Sequence, residues 1–282
     1  MNILIPLITP FNKNLQVDYK ALNILLNYLE NRQILVNSWI GEVYTLTLKE
    51  YIDILSRVKN KIDKEVTIYI PSYKYRLDEL IDKIVEFYGK AEINDNIMIE
   101  LDVSDWLCNN ELCLSRVLSK TLNKITSTNV MLYVVGQYNA EIIELLRGIV
   151  RVYPEITHLV IDQSVSLPLL TRIIDSLDDI DREIELLIFG DYGFIIKNQL
   201  VHGIISPFEL IRVLLNKKFN VDINNTLFLT RMTSYSYSII GAIKTATNII
   251  EPAIKEYLRP PFPTEFPGLR EHITSILNYL IK

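Results

Sequence analysis

The sequence predicts an α/β fold, a closed (β/α)8 TIM barrel with additional C-terminal helices. Three observations point there. Eight short apolar runs alternate with stretches of helical periodicity between residues 3 and 217. The runs are continuous rather than alternating, as parallel strands covered on both faces require. The chain has 282 residues, which accommodates a barrel of about 250 residues and an appendage. The expected organisation is a barrel over residues 1–217 and a helical extension over 218–282, packed on the barrel.

The elements justify themselves in order. ILIPLI (3–8) reads as the first strand, and Asp18 can cap a helix that places Leu22, Leu25, Leu26 and Leu29 on one face. ILVNS (34–38) is the second strand, followed by Thr47 and Glu50 at capping-box spacing ahead of Leu48, Tyr51, Ile52 and Leu55. VTIYI (66–70) precedes Leu77, Leu80, Ile81, Ile84 and Val85 at helical spacing. NIMIEL (96–101) precedes a helix expected near Glu111. VMLYVV (130–135) precedes Ile142, Ile143, Leu145, Leu146 and Ile149. THLVI (157–161) precedes a helix with Pro168 in its first turn. IELLIF (184–189) precedes a short helix through Lys197. HGIIS (202–206) runs into Ser206-Pro207-Phe208-Glu209, which offers an N-cap, a Pro at the first helical position and a capping Glu.

Composition removes several function classes. Hydrophobic residues are 49% of the chain, ample for a core, and the net charge is −5 from 29 basic and 34 acidic residues. A nucleic-acid binder wants a basic face, so no nucleic acid is expected as a partner. No stretch approaches about 18 uncharged apolar residues, so no membrane span is expected. The opening MNILIPLITPFNKN has no basic region ahead of its apolar run, which argues against a signal peptide. Cys108 and Cys113 have no histidine neighbours and read as reduced thiols of a cytoplasmic protein.

In this fold, functional groups sit at strand C-termini and in the loops that follow. Here those stretches include NSWIGE, PSYK, DVSDW, Tyr133 to Gly136, Ile161 to Ser164, GDY and Ser206. Glu42, Asp102, Asp162 and Asp191 could together bind a divalent cation through oxygen ligands. The alternative reading is helix N-terminal charge and, for Glu42, a carboxylate that accepts backbone N–H groups to hold its glycine turn. The second reading is favoured, and no metal is assigned. His158 and His202 fall at strand starts and His272 on a tail helix, which argues against a zinc site at the catalytic face. Ser164 and Ser166 lack a histidine at that face, so no serine nucleophile is expected. Trp39 and Trp106 could plug the barrel mouth or stack on a ligand.

Several motifs resemble the dihydrodipicolinate synthase / N-acetylneuraminate lyase family, and most of all its archaeal 2-keto-3-deoxygluconate aldolase type. IPLITPF (5–11) is similar to the family's opening strand and loop, and IGEVYTLTLKEY (40–51) to its Gly-Glu turn and following helix. Gly203-Ile204-Ile205-Ser206 resembles its Gly-x-x-Ser, and LRPPFPTEF (258–266) the RPP loop of the archaeal aldolases. The resemblance implies chemistry on carbon–carbon bonds beside a 2-keto acid, through a Schiff base on a sixth-strand lysine. It further implies a fifth-strand tyrosine that relays protons, a Thr/Ser pair after the second strand that holds the keto acid's carboxylate, no cofactor, and a homo-oligomer.

Carried over residue by residue, Tyr133 matches the relay tyrosine. Gly41 and Glu42 match the Gly-Glu, and Gly203, Ile205 and Ser206 match the last-strand motif. The hydroxyl pair becomes Trp39 and Ile40, and the lysine position falls on Ile161. No lysine lies between Lys124 and Lys197. An alkyl side chain cannot form an imine. Pro207 directly after Ser206 shortens the loop, and only 9 glycines occur in the chain, where backbone approach to a ligand ordinarily uses them. The expectation is a divergent relative without class I aldolase activity that serves in binding or scaffolding, alongside copies of itself or an active paralogue, with a small 2-keto acid as its ligand. The alternative is a lyase or aldolase of altered mechanism acting on a 2-keto acid or sugar acid.

Overall fold

The computed structural model describes residues 2–63, 66–71, 77–89, 93, 95–102, 118–119, 121–124, 129–162, 165–190, 201–221, 239–262 and 267–281. The helix expected near Glu111, the short helix through Lys197, Cys108, Cys113, Trp106, Asp191 and Ser164 lie outside these residues.

Eight strands, β1 (Asn2–Pro6), β2 (Gln33–Val36), β3 (Thr67–Ile70), β4 (Asn96–Asp102), β5 (Val130–Val135), β6 (Ile156–Asp162), β7 (Glu185–Phe189) and β8 (Gly203–Ile205), form a closed barrel in sequence order. The described helices are α1 (Tyr19–Leu29), α2 (Leu48–Lys59), α3 (Leu77–Phe87), α4 (Ala140–Val152), α5 (Leu167–Leu177), α6 (Glu209–Phe219), α7 (Ile239–Ile250) and α8 (Leu269–Ile281). The predicted barrel with added C-terminal helices is therefore the observed fold. The chain falls into two compact units, Met1–Asn2 with Thr67–Ile205 and Ile3–Val66 with Ser206–Lys282.

In the first unit the parallel ladder runs from β3 to β8, with β5 and β6 shifting register between Val130 and Met131. Asn139 caps α4 by accepting from the Ile142 N–H at 2.8 Å. At the other end of α4, the Arg182 guanidinium donates to the carbonyls of Val150, Tyr153, Pro154 and Ile156. One side chain thus satisfies acceptors that the helix end and its turn leave open. Gly203 permits β8 to close against the chain start. The Asn2 N–H donates to His202 O at 3.2 Å, and a Cβ at Gly203 would lie 2.8 Å from Asn2 O.

In the second unit β1 and β2 pair in register at Leu4↔Gln33, Ile5↔Ile34 and Pro6↔Leu35. Asp18 caps α1 and Thr47 with Glu50 forms a complete capping box on α2, both as the spacing predicts. Strand β2 ends at Val36, two residues before the expected end, because Asn37 turns left-handed (φ 58°). Two 3-10 turns follow, Trp39–Gly41 and Val43–Thr45. A second boundary also moves. Helix α6 begins at Glu209 after a turn, so Ser206 is not its N-cap. The Ser206 hydroxyl still accepts from the Glu209 N–H at 3.2 Å, but Glu209 forks with Arg212 instead of reaching back. Helix α7 is buried on nearly every side, which suits its run of Ile and Ala, and it packs on both α6 and α8.

Candidate functional site

Two groups of strand-end residues are the candidates for a functional site, one in each unit. In the first unit, Tyr133 on β5 is in register with Glu100 on β4 and Val160 on β6. Residues in register on parallel strands share a face, and the next face-mates lie two positions along. One face of β4 to β7 therefore carries Glu100, Asp102, Tyr133, Val160, Asp162, Leu187 and Phe189. The rings agree with this. Tyr133 stacks on Phe189 with centroids 5.1 Å apart and tilts against Tyr69 at 6.4 Å. The stack leaves Tyr133 only 3% exposed.

Ile161 lies on the opposite face. Its register partners are Val134 and Ile188, and Leu101 and Ile204 continue the row. A wholly alkyl row is what the helix-facing side of a barrel strand presents, and Ile161 is fully buried in it. The equation of Ile161 with the position of a reactive amine beside Tyr133 thus meets a geometric objection. The positions of β6 that share the Tyr133 face are His158, at the strand's start, Val160 and Asp162. None of them carries a primary amine.

Tyr138 was not singled out from the sequence. Its hydroxyl donates to Val134 O at 2.8 Å, and burial pushes it well above the ordinary tyrosine range, with Tyr133 and Asp162 adding to the rise. Tyr138 therefore serves as a neutral hydrogen-bonding group that closes the end of β5. Gly203 and Ile205 belong to β8, where Ile205 O accepts from the Gly190 N–H at 2.9 Å and its side chain is buried. The histidines stand at strand starts as expected. His158 faces Glu185 at 3.3 Å, and His202 Nδ1 accepts from the Leu186 N–H at 2.9 Å. Burial holds His158 below the ordinary histidine range, against the pull of Glu185.

In the second unit, the loop after β2 is built around Gly41 and Glu42. A Cβ at Gly41 would stand 2.7 Å from Leu7 O, and the Thr9 hydroxyl donates to Gly41 O at 2.7 Å. Ile40 is fully buried, whereas Trp39 is partly exposed. Glu42 adopts the left-handed conformation (φ 58°) and is fully buried. Its carboxylate accepts from the Arg259 backbone N–H at 2.9 Å and forms an ion pair with Lys244 of α7. The glycine turn is thus held by a carboxylate, with partners 200 and more positions away.

Lys244 is fully buried. Its amine donates to Tyr257 O at 2.8 Å and lies 4.3 Å from the centre of the Phe11 ring. Burial, helped by the nearby Arg259 charge, pushes this amine down to about 8 even though Glu42 draws it up. The Arg259 guanidinium reaches Leu15 O at 2.6 Å, Thr45 O at 3.2 Å and both oxygens of Glu50 at 2.5 and 2.9 Å. It also covers the Phe11 ring at 4.3 Å. The Arg259 hydrogen bonds pull Glu50 down to about 2, with help from the Thr47 backbone. Two carboxylates and two cations balance one another in this cluster. The signal for Lys244 was in the sequence, as the one charged side chain of the apolar helix IIGAIKTATNII.

Among the described residues no group of three or more His, Cys, Asp and Glu side chains could hold a metal ion. Nor is any described helix long and apolar enough to cross a membrane.

No protein-family model matches the sequence, and no curated protein matches it significantly. Solved structures do. A dihydrodipicolinate synthase from Bacillus anthracis is similar with a TM-score of 0.77 at 17% identity, over 98% of this chain and 97% of that one. A prophage protein of the dihydrodipicolinic acid synthase family from E. coli K12, solved in complex with pyruvate, has a TM-score of 0.76 at 18% identity, over 99% and 98%. An N-acetylneuraminate lyase from Mycoplasma synoviae has a TM-score of 0.76 at 12% identity, over 99% and 97%. At such identities the likeness is one of fold.

Proposed function

We propose that this chain is a divergent relative of the pyruvate-dependent aldolases that has left Schiff-base chemistry and acts in binding or scaffolding. The end-to-end likeness to dihydrodipicolinate synthases and N-acetylneuraminate lyases supports the family. The observation that carries the loss of chemistry is that β6 offers no amine on either face. Tyr133 looks along Val160 and Asp162, and Ile161 sits in an alkyl row. A Schiff base requires a neutral primary amine at the ketone, and no lysine lies between Lys124 and Lys197. The groups that match the family's remaining motifs are engaged elsewhere. Glu42 is paired with Lys244, and Tyr133 is packed between rings. On this reading the ligand is a small 2-keto acid held without covalent capture. The partners are further copies of the chain or an active paralogue, in the cytoplasm.

Borohydride reduction in the presence of pyruvate, read by intact mass, tests the proposal. The expected result is no added mass beside an active aldolase that gains one reduced pyruvate. An adduct on any lysine, Lys244 included, would overturn it. A second reading is favoured by one observation. Glu100, Asp102, Asp162 and Tyr133 share a face, as a proton-transferring site without an imine would need. Turnover of 2-keto acids or sugar acids with no trapped adduct, abolished in Asp162→Asn, would select that reading.

A further inference from the structure

Residues 251–262 leave α7 and run across the ends of several elements of the second unit. They are tied down along their length. Glu251 accepts from the Tyr28 hydroxyl of α1 at 2.8 Å and pairs with Lys218 of α6 at 3.0 Å. Ile254 O accepts from the Asn248 side chain at 2.9 Å, and Tyr257 O from Lys244 at 2.8 Å. The Arg259 N–H and guanidinium then reach Glu42, Leu15, Thr45 and Glu50.

Two of those contacts, to Glu42 and Thr45, fall on one feature, the Ser38–Thr45 turn. The turn holds itself with backbone bonds from Gly41 N to Ser38 O (2.9 Å), Glu42 N to Trp39 O (3.0 Å) and Thr45 N to Glu42 O (2.8 Å). Its central residue is a non-glycine in the left-handed region, a conformation that costs energy and persists only where surroundings enforce it. The enforcing groups are Arg259, whose backbone N–H holds the Glu42 carboxylate and whose guanidinium holds Thr45 O, and Lys244, which neutralises Glu42. Removing the charge of either Glu42 or Lys244 leaves the other buried without its partner.

We propose that residues 251–262 form a strap, latched by Arg259, which holds the Ser38–Thr45 turn in its conformation, so that strap and turn open together as one unit. The device exists whether or not the chain catalyses a reaction. It makes the turn that follows β2 answerable to a segment more than 200 residues away.

Hydrogen exchange of the full chain, followed by mass spectrometry, tests it. In Arg259→Ala, the amides of Gly41, Glu42, Val43 and Thr45 and those of Ile254 and Phe262 should exchange about ten-fold faster, by similar factors. Amides of Leu132, Tyr133 and Leu159 in the first unit should hold within about two-fold. Should that variant fail to fold, Glu50→Gln removes one anchor and leaves the Leu15 and Thr45 bonds. It should accelerate the same two sets by about three-fold. Faster exchange of the strap with an unchanged turn would overturn the proposal. So would equal acceleration of the first-unit amides, which would mean general loss of stability.

Discussion

Glu42 and Lys244 are each fully buried, and their ion pair crosses 200 positions of sequence. A buried pair of this kind contributes little against an apolar replacement, yet breaking it is expensive because one charge stays behind. Lys244→Met alone should therefore cost about 3–5 kcal/mol in chemical denaturation, and Glu42→Gln alone a comparable amount. The double variant should recover much of the loss, and a strictly additive cycle would show that the two groups do not act as a pair. The amine also sets an alkaline dependence. Its folded value of about 8 lies below its ordinary 10.5, so between those limits the unfolded chain binds the extra proton. Stability should rise as pH climbs from about 8 toward 10.5, and that rise should vanish in the Lys244→Met/Glu42→Gln double variant.

At the scale of elements, two strand ends and one helix start show how close packing acts on local pattern. Gly203 opens β8 because the Asn2 carbonyl occupies the space of its Cβ, 2.8 Å away. Backbone cannot swing aside as a side-chain tip can, so Gly203→Ala should cost about 1–3 kcal/mol in a urea melt, with the strand displaced. A neutral result would mean that the closure at Asn2 is looser than the contacts indicate. Strand β2 stops early because Asn37 enters the left-handed region, a conformation in which Asn is several-fold enriched. Helix α6 starts at Glu209 after a turn closed by the Glu209 N–H on Ser206 O, and Glu209 forks with Arg212 rather than completing a capping box. The caps at Asp18 and Thr47 were legible beforehand, since a cap spans only three residues and its partners lie in the same short window.

For the whole molecule, the charge cluster around Arg259 joins the chain's beginning to its end within the second unit, and it carries an acid dependence. Glu50 is held at about 2 against an ordinary 4.5, so on acidification the unfolded chain takes up the proton first. Its contribution is complete above about 4.5 and is lost as pH falls toward 2. Glu50→Gln should therefore lower stability at neutral pH and flatten the fall between those limits. An unchanged acid limb in that variant would show that the Arg259 contact does not govern it.

The sequence by itself determined the architecture. Eight continuous apolar runs with helical stretches between them leave few alternatives to a closed parallel barrel, because strands buried on both faces must be apolar throughout. It also determined that no amine is available on the sixth strand, since no residue from 125 to 196 is a lysine. Which way Ile161 points was only half visible. His158 and Asp162 alternate with Leu159 and Ile161, a period of two that separates a polar face from an alkyl one. Tertiary structure decided the rest, because a face acquires meaning only from the register with neighbouring strands, and Tyr133 pairs with Val160. The fate of Glu42 was likewise beyond any local pattern. Its two partners come from α7 and the strap, and a pairing across 200 residues depends on the path of the folded backbone.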